Sequence, residues 1–397
     1  MGSLLDRLRC VQDVEVEGKR VVVRVDYNVP LVDGRVGDDS RIRASLPTLE
    51  NILDRGGKPI LLTHLGRPEG KVVPELRLDA VAERLQELLG RRVRKLDTCI
   101  GDDVVRAIEG WEDGSVILLE NVRFFPEETA NDAAFARQLA ALGDLFVNDA
   151  FATLHRAHAS TLGIADYLPS YAGLLVQKEI EALSRLTDNP EHPYVAIIGG
   201  KKARSKLGTL RDLVDKVDAI LIGGGVAFTF LRAQGHSVGN SIVDDSLFEE
   251  IELISARASE KGVPIVLPRD AVVAKELSDS AQVSTVAIDD IPEDEMGLDI
   301  GPETIALFRE KIAGAKMIMW AGPMGAFEFS PFSEGTREIG QALAASDAFT
   351  VVGGGETGEA LQKLGVAEGI SRISTGGGAC LALLRGKALP ALEALRD

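Results

Sequence analysis

Short apolar runs rich in β-branched residues alternate along this chain with longer stretches of helical period. That alternation constrains the fold more than any other feature. Runs stand at Val21–Val25, Pro59–Thr63, Val116–Leu119 and Leu145–Val147, then at Val195–Ile198, Ala219–Ile222, Ile265–Leu267, Met317–Trp320 and Thr350–Val352. Most are apolar throughout rather than alternating, the pattern of strands covered by helices on both faces. Between them, Ile42, Leu46, Leu49, Ile52 and Leu53 recur at helical spacing before Gly56-Gly57, and Val81, Leu85, Leu88 and Leu89 do so before Gly90. Strands alternating with helices predict an α/β fold with parallel sheets.

A chain of 397 residues exceeds one ordinary core. We expect two doubly wound, Rossmann-like domains joined by a helix, with a hinge and a cleft between them. The boundary falls in 173–193, where a helical stretch from Leu174 to Leu186 runs into the breaker-rich TDNPEHP. The expected division is 1–172, the linking segment 173–193, and 194–376, followed by a C-terminal segment 377–397.

The residues that end the runs differ between the halves. The first half supplies Asp26, Asn28, His64, Arg67, Arg123 and Arg156, with Arg41 early in a helix; the second supplies Gly199-Gly200, Gly223 to Gly225, Gly322-Pro323 and Gly353 to Gly355, with Lys202 and Lys206 nearby. Ligands of open α/β sheets bind beyond the carboxyl ends of the strands. Arginine forks suit phosphate and carboxylate oxygens, and free amides at a helix start suit phosphate. Two anion sites in two domains predict phosphoryl transfer, which depends on alignment and charge neutralisation. A single arginine is more often a solvated charge, and a glycine cluster a tight turn. Lys202 and Lys206, four apart, would share a face if the helix starts early.

A net charge of −17 argues against nucleic acid or an anionic membrane as partner. Cys10, Cys99 and Cys380 form neither a disulfide framework nor a zinc motif. The N-terminal residues lack a signal-peptide core, and the longest uncharged apolar stretch, 219–231, is too short to span a membrane. A cytoplasmic location is expected. Gly353, Gly355 and Gly358 fit GxGxxG, but no acidic residue follows at the distance a dinucleotide ribose needs.

The chain resembles the phosphoglycerate kinase family over essentially its whole length. The resemblance rests on RVDYNVP at 24–30, RIRASLPTL at 41–49, THLGRP at 63–68, ENVRF at 120–124, NDAF at 148–151 and HRAH at 155–158. In the second half it rests on GGKKARSKL at 199–207, GGGVAFTFL at 223–231, GPMGAFE at 322–328 and STGGGA at 374–379. It implies a monomeric, hinge-bending enzyme of glycolysis. The implied reaction is reversible Mg²⁺-dependent transfer between 1,3-bisphosphoglycerate and ADP, giving 3-phosphoglycerate and ATP. Asp26, Asn28, Arg41, His64, Arg67, Arg123 and Arg156 would hold the phosphoglycerate. Arg41 and Lys206 would neutralise the transferring group. Lys202, Lys206, Gly223, Gly224, Gly301, Pro323, Glu328, Gly354, Gly355, Glu356 and Thr357 would hold the nucleotide, Glu328 at the ribose and Glu356 at the metal. The last ~20 residues would cross back to the first domain, as the family's C-terminal segment does. The chain departs from the family pattern at Ala321, where Asn is usual, and at Glu356, where Asp is usual. Lys201 and Arg204 are expected to offset the missing contact at Ala321. A second reading, a binding or regulatory protein with weak turnover, rests on the same two departures.

Overall fold

The computed structural model describes residue 5, residues 7–111 and residues 113–396. The chain divides into two compact units, one made of residues up to Glu181 together with those from Ala388 onward, the other of Ala182–Lys387.

The first unit is built on a six-stranded parallel sheet. Its strands lie in the spatial order Val93–Lys95, Val116–Leu118, Lys58–Leu62, Arg20–Arg24, Leu145–Asn148 and Ser170–Ala172. Successive strand residues point to opposite faces. Val21, Val23, Leu61 and Val147 join one buried cluster with Ile42, Leu49 and Ile52 of the helix Ser40–Asp54 and Val81 and Leu85 of the helix Asp79–Leu89. Val22, Ile60, Leu62 and Phe146 face the other way, against Val104, Phe135 and Leu139. Each such aliphatic side chain removed from water contributes roughly 1.5–3 kcal/mol. Both faces are therefore closed to solvent, and polar chemistry is left to the strand ends.

The second unit carries a six-stranded parallel sheet in the order Ile265–Val266, Ala219–Ile222, Tyr194–Ile198, Met317–Ala321, Phe349–Gly353 and Arg372–Ser374. Taken in chain order this is 3-2-1-4-5-6, the dinucleotide-fold arrangement. The order reverses between Tyr194–Ile198 and Met317–Ala321, so the loops at 199 and 322 open at the switch point. An antiparallel sheet of Ser284–Ala287, Asp270–Ala274 and Met296–Ile300 is a feature that the run analysis missed. Ser284–Ala287 is largely exposed, and Met296–Ile300 carries a glycine and an aspartate, so neither reads as an apolar run.

The helix Leu174–Thr187 carries the chain out of the first unit. At the other end, the helix Gly377–Leu384 stays with the second unit, where it buries Ala379, Cys380, Leu383 and Leu384. The part grouped with the first unit starts at Ala388, later than 377. The Ala391 amide there donates to the Leu154 carbonyl at 3.2 Å, and the Arg9 amide to the Leu395 carbonyl at 3.0 Å. Among the described residues, no helix is long and apolar enough to cross a membrane.

Candidate functional site

In the first unit, the strand Arg20–Arg24 delivers Asp26 and Asn28, Lys58–Leu62 delivers His64 and Arg67, and Leu145–Asn148 leads to Arg156. The neighbouring pairing of these three strands is what gathers the loops. Asp26 is nearly buried and forms an ion pair with Arg41. The Asn28 side-chain oxygen accepts from the Gly66 amide at 2.8 Å, fastening the first loop to the one that bears Arg67. Arg67, Arg123 and Arg156 line one open cavity of about 680 Å³, with His158, Thr129 and Gly70.

The floor of this site rests on Arg24, which is fully buried. Its Nε donates to the Ser160 hydroxyl at 2.8 Å, and its Nη2 lies 3.2 Å from His64 Nδ1. Ser160 in turn is held by the buried Glu128 carboxylate, which accepts from its hydroxyl at 2.7 Å and its amide at 2.9 Å. Arg24 and Glu128 were not singled out from sequence. Arg24 stands inside a strand and opens RVDYNVP, so a charge within an apolar run was the available signal.

Burial first, and concentrated positive charge after it, shift the titration of the site's members. Burial, and then the fields of Arg24, Arg123, Arg156 and Arg41, hold the His64 imidazole well below its usual range. Burial, followed by Arg156 and Arg24, brings the Arg123 guanidinium down to about 10. Arg123 donates through Nη1 to the Gly66 carbonyl at 2.7 Å, while its buried Nε has no hydrogen-bond partner among the described residues. A site that crowds cations and leaves a buried donor unpaired is arranged for an anion.

The second unit's site centres on a cavity of about 330 Å³. Gly224, Pro323, Glu328 and Glu356 line it together with Lys201. Its walls also include Phe228, Ile242, Leu277, Met296, Leu298 and Phe329, an apolar slot that sequence reasoning did not find. Gly301 lies outside this lining. It caps the helix Pro302–Ala313, and a Cβ there would come within 2.3 Å of the Asp270 carboxylate.

The glycine loops behave differently from the expectation that they offer bare amides. The Gly200 amide donates to the Pro323 carbonyl at 2.7 Å, Gly223 to Ile198 at 2.9 Å and Gly224 to Met324 at 3.0 Å. The Gly322 amide is held by the Thr357 hydroxyl at 2.8 Å. These loops interlock backbone to backbone. Gly322 sits at φ +98°, and a Cβ on it would lie 2.1 Å from the Gly199 carbonyl oxygen. Glycine at the switch point is thus a packing requirement. Among the described residues, no side chain caps the first turn of Gly355–Lys363, which leaves its amides free, with Gly355 and Glu356 exposed. That turn is the phosphate-type helix start.

Lys202 and Lys206 are separated by the helix boundary, because the helix runs Arg204–Leu213. Lys202 is in the loop before it, where its carbonyl accepts from the Ser205 hydroxyl at 2.8 Å. Lys206 lies in the first turn, half-buried, and burial lowers its ammonium pKa against the opposing pull of Glu356. Arg204 does not face the cavity as expected. Its guanidinium is bound to Asp244 at 3.1 Å and to Ser246 at 2.5 Å, so only Lys201 of that pair remains beside the apolar slot.

A sequence profile described as phosphoglycerate kinase matches residues 11–387. The chain belongs to the phosphoglycerate kinase family. It is 51% identical over 388 residues to the phosphoglycerate kinase of Dictyoglomus turgidum, and 52% identical over 387 residues to that of Moorella thermoacetica. In both cases 98% of each chain is covered. Its fold is similar to the solved phosphoglycerate kinase structures from Coxiella burnetii (TM-score 0.86, 41% identity) and Pyrococcus horikoshii (TM-score 0.88, 32% identity), again over 98% of each chain. Family membership makes this chain a kinase, a phosphotransferase of the phosphoglycerate kinase type. The α/β architecture, with two Rossmann-like parallel sheets, is that of the family.

Proposed function

We propose that the chain catalyses reversible phosphoryl transfer between 1,3-bisphosphoglycerate and ADP, yielding 3-phosphoglycerate and ATP. The observation that carries the reading is the pairing of two unlike sites on one family scaffold: a cation-lined cavity at Arg67, Arg123 and Arg156, and an apolar slot ending at Glu356. The binding-only alternative has no such support, since the relatives at about half identity are named as kinases.

In this reading, the arginines and Asn28 hold the phosphoglycerate's phosphate and carboxylate, and Asp26 keeps Arg41 in place. His64 donates a hydrogen bond rather than acting as a base. No base is required, because the attacking group is an ionised phosphate oxygen in one direction and a carboxylate in the other. Arg41 and Lys206 neutralise the transferring group. Glu328 meets the ribose, while the amides that open Gly355–Lys363, with Lys202 and Thr357, serve the nucleotide phosphates.

Mg²⁺ is the expected metal. Among the described residues, no group of three or more His, Cys, Asp or Glu could hold an ion by itself. One exposed carboxylate, Glu356, stands at the phosphate end of the slot. This donor set fits Mg²⁺, which is commonly held by one or two carboxylates and substrate phosphates. Bound there, it would offset negative charge on the phosphates. We further propose that the enzyme works as a cytoplasmic monomer without nucleic-acid or membrane partners.

A coupled assay with 3-phosphoglycerate, ATP and either Mg²⁺ or Mn²⁺ tests the proposal. Metal-dependent turnover supports it. Calorimetric nucleotide binding with turnover no faster than background would replace it with the binding-only reading.

A further inference from the structure

The buried Asp149 carboxylate lies directly after the strand that leads to Arg156, and the reaction assigns it nothing to do. Its Oδ1 accepts from the Leu175 amide at 2.9 Å and the Val176 amide at 3.4 Å, in the first turn of the helix Leu174–Thr187. Beside them, the Thr48 hydroxyl oxygen accepts from the Leu174 amide of the same turn at 2.9 Å. Asp149's own amide donates to the Arg24 carbonyl at 2.8 Å. Both Asp149 and Thr48 are fully buried, and Asp149 Oδ2 has no hydrogen-bond partner among the described residues. Gly173 completes the arrangement, since a Cβ there would lie 2.1 Å from Oδ1.

Thr48 lies on the helix Ser40–Asp54, whose first turn carries Arg41. That helix has a second buried polar tie, Ser45, whose hydroxyl is 2.8 Å from the Tyr27 hydroxyl, next in sequence to Asp26. Two side-chain ties on the inner face therefore set where the Arg41 helix stands against the strand ends. One is local to the Asp26 loop. The other joins the helix to the turn at 174–176, which Asp149 holds from the strand end.

We propose that Asp149 and Thr48 are positioning residues for phosphoryl transfer, joining the Arg41 helix to the first turn of Leu174–Thr187. Neither touches a ligand; they act through Arg41. The inference rests on the catalytic role proposed for Arg41. A misplacement of about 1 Å in a group aligned for transfer costs on the order of a hundredfold in rate.

The test uses the full-length enzyme and the variants Thr48→Val, Thr48→Ser and Asp149→Ala. Thr48→Val removes the hydroxyl at nearly constant volume. We expect it to lower kcat by about tenfold or more while leaving the KM for 3-phosphoglycerate within about twofold, with Thr48→Ser restoring kcat. Asp149→Ala should show the same split. Hydrogen exchange supplies a readout separate from turnover: the amides of Leu174, Leu175 and Val176 should lose protection in Thr48→Val and regain it in Thr48→Ser. Unchanged kcat in a folded Thr48→Val overturns the proposal. So does a kcat loss that follows Tm and is not restored by serine. If the wild type itself shows no turnover, the proposed activity fails, and the exchange data decide separately whether the anchor exists.

Discussion

Arg24 Nη2 and His64 Nδ1 lie 3.2 Å apart in the buried floor of the anion site. Guanidinium can only donate, so Nδ1 must accept, and the remaining proton of the neutral ring is on Nε2. One buried cation thus fixes the tautomer of the histidine above it, whose neutral form burial favours first and the surrounding arginines second.

The first prediction concerns that histidine. Its imidazole titrates well below the unperturbed 6.5, through burial and then the surrounding arginines. The folded chain then takes up its proton only at lower pH than the unfolded chain does, so stability is lost as pH falls below 6.5. NMR of the His64 ring should show no titration near 6.5. His64→Ala should raise the KM for 3-phosphoglycerate by about tenfold and change kcat much less, as expected for loss of a binding hydrogen bond. A large kcat loss with a matching pH shift would instead make it a base.

Removing the cations proposed to face the transferring group should act on the other parameter. Arg41→Ala and Lys206→Ala are expected to lower kcat by roughly a hundredfold, with smaller effects on KM. Arg41 also pairs with Asp26, so its loss should lower Tm as well. Steady-state kinetics beside thermal melts separate the two effects.

Lys201 and Arg204 should part company. Lys201 lines the apolar cavity proposed for the nucleotide, while Arg204 is engaged by Asp244 and Ser246. Lys201→Ala should raise the nucleotide KM by a few-fold, whereas Arg204→Ala should leave it within about twofold. The Arg204 pair is exposed and screened by water, so its removal should hardly change stability. Equal KM effects would show that Arg204 reaches the nucleotide.

A pH prediction follows for Asp149. Burial pushes its carboxyl up to about 7, against the lowering effect of Thr48 and the Leu175 and Val176 amides. Between the unfolded value near 3.8 and about 7, the folded state binds the extra proton. Its contribution to stability therefore declines as pH rises through that window. Asp149→Asn can keep the Oδ1 contacts and place its amide nitrogen at the unpartnered Oδ2 position. The Tm of Asp149→Asn relative to wild type should therefore climb from pH 5 to pH 8. A constant difference would mean that Asp149 stays ionised throughout.

The interlocked glycines allow a stability prediction. Gly322→Ala would place Cβ 2.1 Å from the Gly199 carbonyl at a backbone angle of +98°. Neither backbone can yield without displacing the loops around Ala321 and Pro323. We expect a loss of at least about 2 kcal/mol, read by denaturant unfolding, together with a higher nucleotide KM.

Much of this was legible in the sequence because local periodicity reports burial. The run Ala219–Ile222 is a strand with the same limits, and Pro59–Thr63 became Lys58–Leu62. The residues ending each run mark the strand ends, so the cationic loops and the glycine loops could be named in advance. Sequence alone determined the parallel α/β class, the family and the contrast between the two halves. Tertiary structure decided which groups are free to act. The amides of Gly200, Gly223 and Gly224 look available in sequence but are taken by the carbonyls of Pro323, Ile198 and Met324, far away in the chain. The apolar slot joins Phe228 and Ile242 to Leu277, Met296 and Phe329, residues with no common period. Arg204 turned to Asp244, and His64 took its tautomer from Arg24. A hydrogen bond needs both partners in place, and the partner of a strand-end group is supplied by whichever loop the sheet order brings beside it.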